Sequence, residues 1–233
     1  MTNEDCFDFL SKIQNECIDL VLIDPPYNIS KKSGFQSSKN EKSLYARYLT
    51  DFGEWDKNEN ILSDCLKELY RVLRKEGSII CFYDLWKISY LKEWMENAGF
   101  NQIRFIEYQK TNPVPVNSKL NYLTNSREIA LTGVKGGKPV FNSEYDNGIY
   151  LYPINNDDDR FHITQKPLRL IKDLIIKHSN EGHIVLDCFA GSFTTAVACI
   201  ETKRNFTGCE LEIDYFEKSK KRVNQKISQL DLF

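Results

Sequence analysis

Apolar residues in this chain fall into short unbroken runs separated by amphipathic stretches, and the two patterns alternate. Runs at 18–23, 78–83, 103–108, 128–134, 184–187 and 206–209 are rich in branched and aromatic residues and predict strands. Between them, Ile61, Leu62, Cys65, Leu66, Leu69, Val72 and Leu73 recur at helical spacing, which predicts a helix over 61–73 stopped by Gly77. Stretches 85–98 and 167–179 read the same way, the second opening at Pro167. The alternation predicts an α/β fold: one domain over 1–233, built on a doubly wound, mostly parallel, Rossmann-like sheet with helices on both faces. Its ligands belong at the carboxyl ends of the strands. Three polar stretches escape the pattern, at 30–56, 111–125 and 136–159.

Two strand ends carry distinctive chemistry. The first run stops at Asp24, and Pro25, Pro26 and Tyr27 follow. Each proline fixes φ and lacks an N–H, and Pro26 also holds Pro25 extended, so carbonyls here cannot fold back into a helix or a ladder. A carboxylate, two carbonyls and an aromatic ring form a rigid acceptor set with a stacking surface, suited to a flat molecule carrying an amino group. Far downstream a strand ends at Asp187, the small-residue turn Phe189-Ala190-Gly191-Ser192 follows, and a helix opens near Thr194. Such a turn lets backbone approach a nucleoside cofactor closely, and Glu210, about twenty residues on, stands where an acid binds ribose hydroxyls.

Composition narrows this further. At 233 residues, with 41% hydrophobic residues, the chain can fill one sizeable core. A net charge of -2 gives no general attraction to a polyanion, so any nucleic acid must meet a local patch. Seven cysteines without a CxxC pair, and three scattered histidines, suggest neither structural zinc nor a disulfide framework. Buried core positions are the expectation for most of the cysteines. No segment is apolar enough to span a bilayer, and MTNEDCFDFL lacks the features of a secretion signal, which predicts a cytoplasmic protein with no membrane partner.

The chain resembles the amino-group DNA methyltransferases that use S-adenosylmethionine, in particular their circularly permuted β class. The resemblance rests on Asp24-Pro25-Pro26-Tyr27, on Phe189-Ala190-Gly191-Ser192-Phe193, and on their order, catalytic motif first and cofactor motif last. It implies that Asp24, Pro25, Pro26 and Tyr27 hold a flipped base, with Tyr108 as the second aromatic against it. It further implies that Asp5 and Cys6 contact the cofactor's adenine, and that Thr164, Gln165 and Lys166 bind its methionine end. Asp24, Asp187, Phe189, Gly191, Ser192, Glu210 and Leu211 complete the cofactor set. Phe193 departs from the family, which has glycine there; the expectation is ordinary negative φ, with the ring turned either into the neighbouring apolar layer or into the methionine end of the pocket.

The implied reaction is methyl transfer to the N6 amine of adenine in double-stranded DNA. Such an amine is a poor nucleophile and is unreachable in the stack, so the base must be extruded. Its catalysis is by orientation and electrostatics, which requires neither a metal nor a cysteine nucleophile. Two alternatives remain: methylation of the cytosine N4 amine, although enzymes of that kind typically carry serine at the Asp24 position, and a non-catalytic DNA-binding subunit, which Phe193 in place of the family glycine encourages. Lys31, Lys32, Lys39, Lys42 and Arg47 make 30–56 a candidate mobile loop over DNA phosphates. The inserted target-recognition region is placed at 117–161, with Lys119, Arg127, Lys135 and Lys138 as candidate contacts. Lys218, Lys220, Lys221 and Arg222 read as the solvated face of the last helix. A homodimer and a cognate restriction endonuclease are the protein partners that the resemblance suggests.

Overall fold

The computed structural model describes residues 1–26, 61–113, 123–154 and 165–230. Among the described residues eight strands form one sheet: β1 (Thr2–Asn3), β2 (Ile18–Ile23), β3 (Leu73–Tyr83), β4 (Asn101–Lys110), β5 (Arg127–Val134), β6 (Ile149–Tyr152), β7 (Ile184–Asp187) and β8 (Asn205–Glu210), in the order β1-β8-β7-β2-β3-β5-β4-β6. All neighbours run parallel except β5, which is antiparallel to both β3 and β4. Six helices accompany them among the described residues: α1 (Cys6–Ser11), α2 (Ile61–Val72), α3 (Ile88–Ala98), α4 (Leu168–His178), α5 (Thr194–Glu201) and α6 (Ile213–Leu230).

The two faces of the sheet follow from its period of two. Val21, Ile23, Ile79 and Cys81 point to one side and pack under α1, α2 and α3, against Leu10, Leu66, Leu69 and Leu91. Leu20, Leu22, Ile80 and Phe82 point to the other, under α4 and α5, against Leu170, Leu174, Ile175 and Ala198. Every residue of β2 is buried, as its unbroken apolar run requires of a central parallel strand. Its one charged residue, Asp19, is paired: Arg74 Nη1 lies 2.6 Å from Oδ1, and the Ile184 N–H donates to Oδ2 at 2.8 Å. Doubly wound architecture, expected from the alternation, is thereby present.

Several boundaries differ from the sequence expectation. Gly77 does not stop a helix. It lies within β3, where a Cβ would meet Arg74 O at 2.9 Å and Asp19 O at 3.1 Å, beside the register shift between Ile18 and Leu20. β6, inside a stretch read as irregular, is a four-residue edge strand bound to β4. β1 and α1 also escaped the pattern, being two and six residues long. Six of the seven cysteines are buried and all seven are free thiols. Among the described residues no helix is long and apolar enough to cross a membrane.

Candidate active site

β2 delivers Asp24 to the carboxyl edge of the sheet, followed by a buried Pro25 and an exposed Pro26. Asp24 is bound there by a residue from elsewhere in the chain. The Lys166 ammonium, reaching from the segment before α4, donates to Asp24 Oδ2 and lies 3.1 Å from Glu128 Oε2. The Phe82 ring lies 4.9 Å from the same nitrogen, and Lys110 Nζ lies 2.7 Å from the other Glu128 oxygen. Burial disfavours charge on Lys166, but Asp24 and Glu128 outweigh it and hold the ammonium above its ordinary pKa. Burial likewise disfavours charge on Glu128, yet Lys166 and Lys110 bring its carboxyl down to about 2.

Next to this pair is a cleft lined by Asp24, Phe82, Gln165, Lys166, Asp187 and the turn from Phe189 to Ser192. The turn is held from three sides. The Gly191 N–H donates to Glu210 Oε2 at 2.7 Å, while Ser219 Oγ donates to the Gly191 carbonyl at 2.8 Å and Arg222 Nη1 to the Ser192 carbonyl at 3.1 Å. Arg222 therefore does not belong to the solvated face of α6; it is 9% exposed and braces the turn. Gly208 brings β8 close to β7, since a Cβ there would stand 2.2 Å from Asp187 O. Asp187 accepts from Thr195 Oγ1 at 2.7 Å and from the Phe189 N–H at 3.1 Å. Burial nevertheless pushes its carboxyl up to about 7, and the carboxylates of Asp24 and Glu210 add to the effect. Glu210 is also raised, chiefly by burial.

Phe193 has φ +53° and ψ +34°, the left-handed conformation that glycine takes most readily, so the expectation of negative φ is corrected. The backbone keeps the shape the turn needs, and the ring leaves the cleft. It is fully buried among Ala190, Ala196, Val197 and Val223, edge-on to Phe206 at 5.7 Å and to Phe216 at 6.1 Å. The ring thus occupies the apolar layer beneath α6 rather than the methionine end of the pocket.

The remaining sequence candidates divide. β1, which ends two residues before Asp5, pairs with Cys209 and Glu210; Asp5 caps α1 by accepting from the Phe7 N–H at 2.8 Å. The Cys6 side chain turns into the core, 4% exposed, and Leu211 is largely exposed next to Glu210. Tyr108 is 1% exposed, packed with Phe82 and Tyr150, and its hydroxyl donates to the Pro153 carbonyl at 3.2 Å, so neither ring face is open to a base in this arrangement. Lys135 and Lys138 lie at the opposite end of the sheet from Asp24, where Lys135 Nζ donates to Leu73 O at 2.7 Å. As contacts for DNA at the catalytic edge they are withdrawn, whereas Arg127 is at that edge, 3.2 Å from Glu107. Tyr27, Thr164, Lys119 and the whole of 30–56 lie outside the described residues. Glu128 carried no motif and was missed, and Lys110, in the segment that resembles the family's second-aromatic motif around Tyr108, was given no role. Among the described residues no group of three or more His, Cys, Asp and Glu side chains is placed to hold a metal.

An acid-lined cleft at the carboxyl edge of a doubly wound sheet, beside a strand-end carboxylate and a proline pair, defines a Rossmann-like methyltransferase. The chain belongs to the N6_N4_Mtase family, described as DNA methylase, which matches residues 18–221. It is 29% identical over 245 residues to the type II methyltransferase M2.MboI of Moraxella bovis, with 94% of this chain and 85% of that one covered. It is also 29% identical over 246 residues to the DNA adenine methyltransferase YhdJ of Escherichia coli (strain K12), covering 92% and 79%. The crystal structure of an M1.HpyAVI-SAM complex superposes with a TM-score of 0.73 at 27% identity, over 95% of this chain and 97% of that one. The enzyme is an S-adenosylmethionine-dependent DNA methyltransferase.

The residues present fit that cofactor. Gln165 is 7% exposed, and among the described residues neither its amide nitrogen nor its oxygen has a hydrogen-bond partner, in buried surroundings where an unpaired polar group is costly. Besides burial, the carboxylates of Asp24 and Glu210 raise the Asp187 carboxyl, and a cationic guest would relieve that repulsion. When bound, the cofactor supplies an electrophilic methyl group on a sulfonium.

Proposed function

We propose that this enzyme methylates the N6 amine of an adenine flipped out of a short double-stranded DNA sequence. The observation that carries this reading is the position of Asp24: the carboxylate that ends β2 lines the same cleft as Gln165, Asp187 and the glycine turn. A carboxylate accepts a hydrogen bond from the amine, and the Pro25 carbonyl offers a second acceptor; together they turn the nitrogen lone pair toward the methyl group. Holding both reactants in that line supplies most of the acceleration. Asp187, Gln165 and Glu210 orient the donor, and the buried floor of Phe82 and Ile171 excludes water from one side.

Adenine is favoured over cytosine by the aspartate at position 24 and by kinship with an adenine methyltransferase. The non-catalytic reading loses its support, because the Phe193 ring does not enter the cleft. Tyr27 is proposed as the stacking face for the base, with Tyr108 opposite once its ring is uncovered. Residues 30–56 are proposed as the loop that closes on DNA phosphates, and 117–161 as the target reader. A homodimer, a cognate endonuclease of a restriction-modification system and a cytoplasmic setting complete the proposal. The test is mass spectrometry of nucleosides from methylation-free DNA incubated with the chain and S-adenosylmethionine. N6-methyldeoxyadenosine is expected; N4-methyldeoxycytidine, or no methylated nucleoside, would overturn the reading.

A further inference from the structure

Methyl transfer moves positive charge from sulfur onto the attacking nitrogen, so the group facing that nitrogen has to present net negative charge. A carboxylate bonded one-to-one to an ammonium presents a dipole instead. That is what Asp24 and Lys166 would form alone, with the Lys166 side chain only 9% exposed and little screened by water. Glu128 alters the balance. It projects from β5, on the far side of β3 from β2, and its Oε2 lies 3.1 Å from the Lys166 nitrogen. Asp24, Lys166, Glu128 and Lys110 form an alternating row of charges, neutral in sum, in which Glu128 offsets the ammonium bonded to Asp24. The Lys110 ammonium is bonded to the outer oxygen, Oε1, at 2.7 Å, and so acts on Glu128 from the side away from Lys166. The Phe82 ring under the Lys166 nitrogen gives the ammonium a seat between the two acids.

We infer that Glu128 is a positioning residue for the methyl transfer: by holding Lys166 from the side opposite Asp24, it leaves the Asp24 carboxylate charged and turned toward the substrate amine. Asp24 meets the substrate, and Glu128 acts only through Lys166. The second acid also gives the ammonium a place to lean when the amine comes in to bond with Asp24. Without it, that movement would leave a buried charge unpaired. With its carboxyl held down to about 2, Glu128 is ionised at neutral pH. The inference rests on the methylation reading above and adds a residue that neither motif contains.

The test uses the full chain, tritiated S-adenosylmethionine and methylation-free genomic DNA. Glu128→Gln keeps the shape and removes the charge. It is expected to lower kcat about tenfold to a hundredfold, the loss usual for a group that orients another. Cofactor affinity by calorimetry should change less than about threefold, and Glu128→Asp should recover part of the lost kcat. Lys110→Gln, which leaves Glu128 charged, should cost less than about threefold. The inference is overturned if folded Glu128→Gln keeps the parental kcat, or if kcat, affinity and melting temperature fall together. Should Glu128→Gln not fold, a Lys110→Gln loss as large as a hundredfold, or a Glu128→Asp chain no better than background, overturns it as well. Absence of methyl transfer by the unaltered chain would sink the methylation reading instead, which separates the two.

Discussion

The Gly191 N–H donates to Oε2 of Glu210 at 2.7 Å, so the turn after β7 and the acid that closes β8 are bonded to each other across 19 residues. The other oxygen, Oε1, accepts from the Glu212 N–H at 2.9 Å. One carboxylate therefore ties the turn to the segment that follows β8.

Removing it should loosen both. Glu210→Ala is expected to reduce cofactor affinity by about tenfold to a hundredfold, the worth of one or two hydrogen bonds to a charged group. Calorimetric titration with S-adenosylmethionine measures this, and an unchanged dissociation constant would remove Glu210 from the cofactor set.

Asp24→Ala should abolish turnover, with a fall in kcat of about a hundredfold or more. Glu128 still pairs Lys166 in this variant, so the chain should remain folded, which circular dichroism checks. Near-parental turnover would mean that the carboxylate does not orient the amine.

Cofactor binding should depend on pH through Asp187. Its carboxyl, at about 7 in the folded chain, lies above the ordinary carboxylate value because burial disfavours the charged form. An acid raised in this way stabilises the fold when protonated, and that contribution is lost as pH rises from about 4 to about 7. A cationic ligand reverses the preference and favours the ionised acid. Affinity should therefore weaken by up to about tenfold per pH unit below 7, with proton release seen by calorimetry in buffers of different ionisation enthalpy. Asp187→Asn should flatten the profile.

Phe193 behaves as a core residue despite its place in the cofactor turn. Phe193→Ala should cost about 3–5 kcal/mol of stability, and Phe193→Gly slightly less because glycine accepts the left-handed φ. Neither should tighten cofactor binding in the folded protein. A glycine variant that bound more tightly at unchanged stability, in denaturant unfolding and calorimetry, would put the ring back in the pocket.

Tyr108 separates two roles cleanly. As a buried ring it should lose about 3–5 kcal/mol on change to alanine, and Tyr108→Trp should overpack the site by about 1–3 kcal/mol. Fluorescence of 2-aminopurine at the target position reports extrusion of the base. A drop in that signal in a variant of parental stability would favour stacking over packing.

The central strands were legible because burial on both faces makes a continuous apolar run, as in 18–23, and because proline and glycine punctuate the carboxyl edge. The cleft residues were legible through motifs that share that edge. β1, α1 and β6 were not, since two, six and four residues cannot establish a period. Arg222 looked like a surface charge because it follows Lys220 and Lys221, which are exposed; the tertiary approach of α6 to the turn brings its guanidinium to the Ser192 carbonyl. Glu128 and Lys166 come together only when β5 inserts beside β3, a relation between segments that no local window contains.

The pairing of β2 with β7 has a consequence for synthesis of the chain. Asp19 and Ile184, which touch across that pair, are 165 residues apart, and β2 receives its second neighbour only when the last third of the polypeptide exists. A nascent chain that has emerged as far as β5 can join β2 to β3 and β3 to β5, but one side of its most apolar strand is bare. Contacts of such sequence span form late and slowly. Ribosome-stalled chains of increasing length should therefore acquire cofactor binding abruptly, once residues through Glu210 are clear of the exit tunnel, and should depend on chaperones until then.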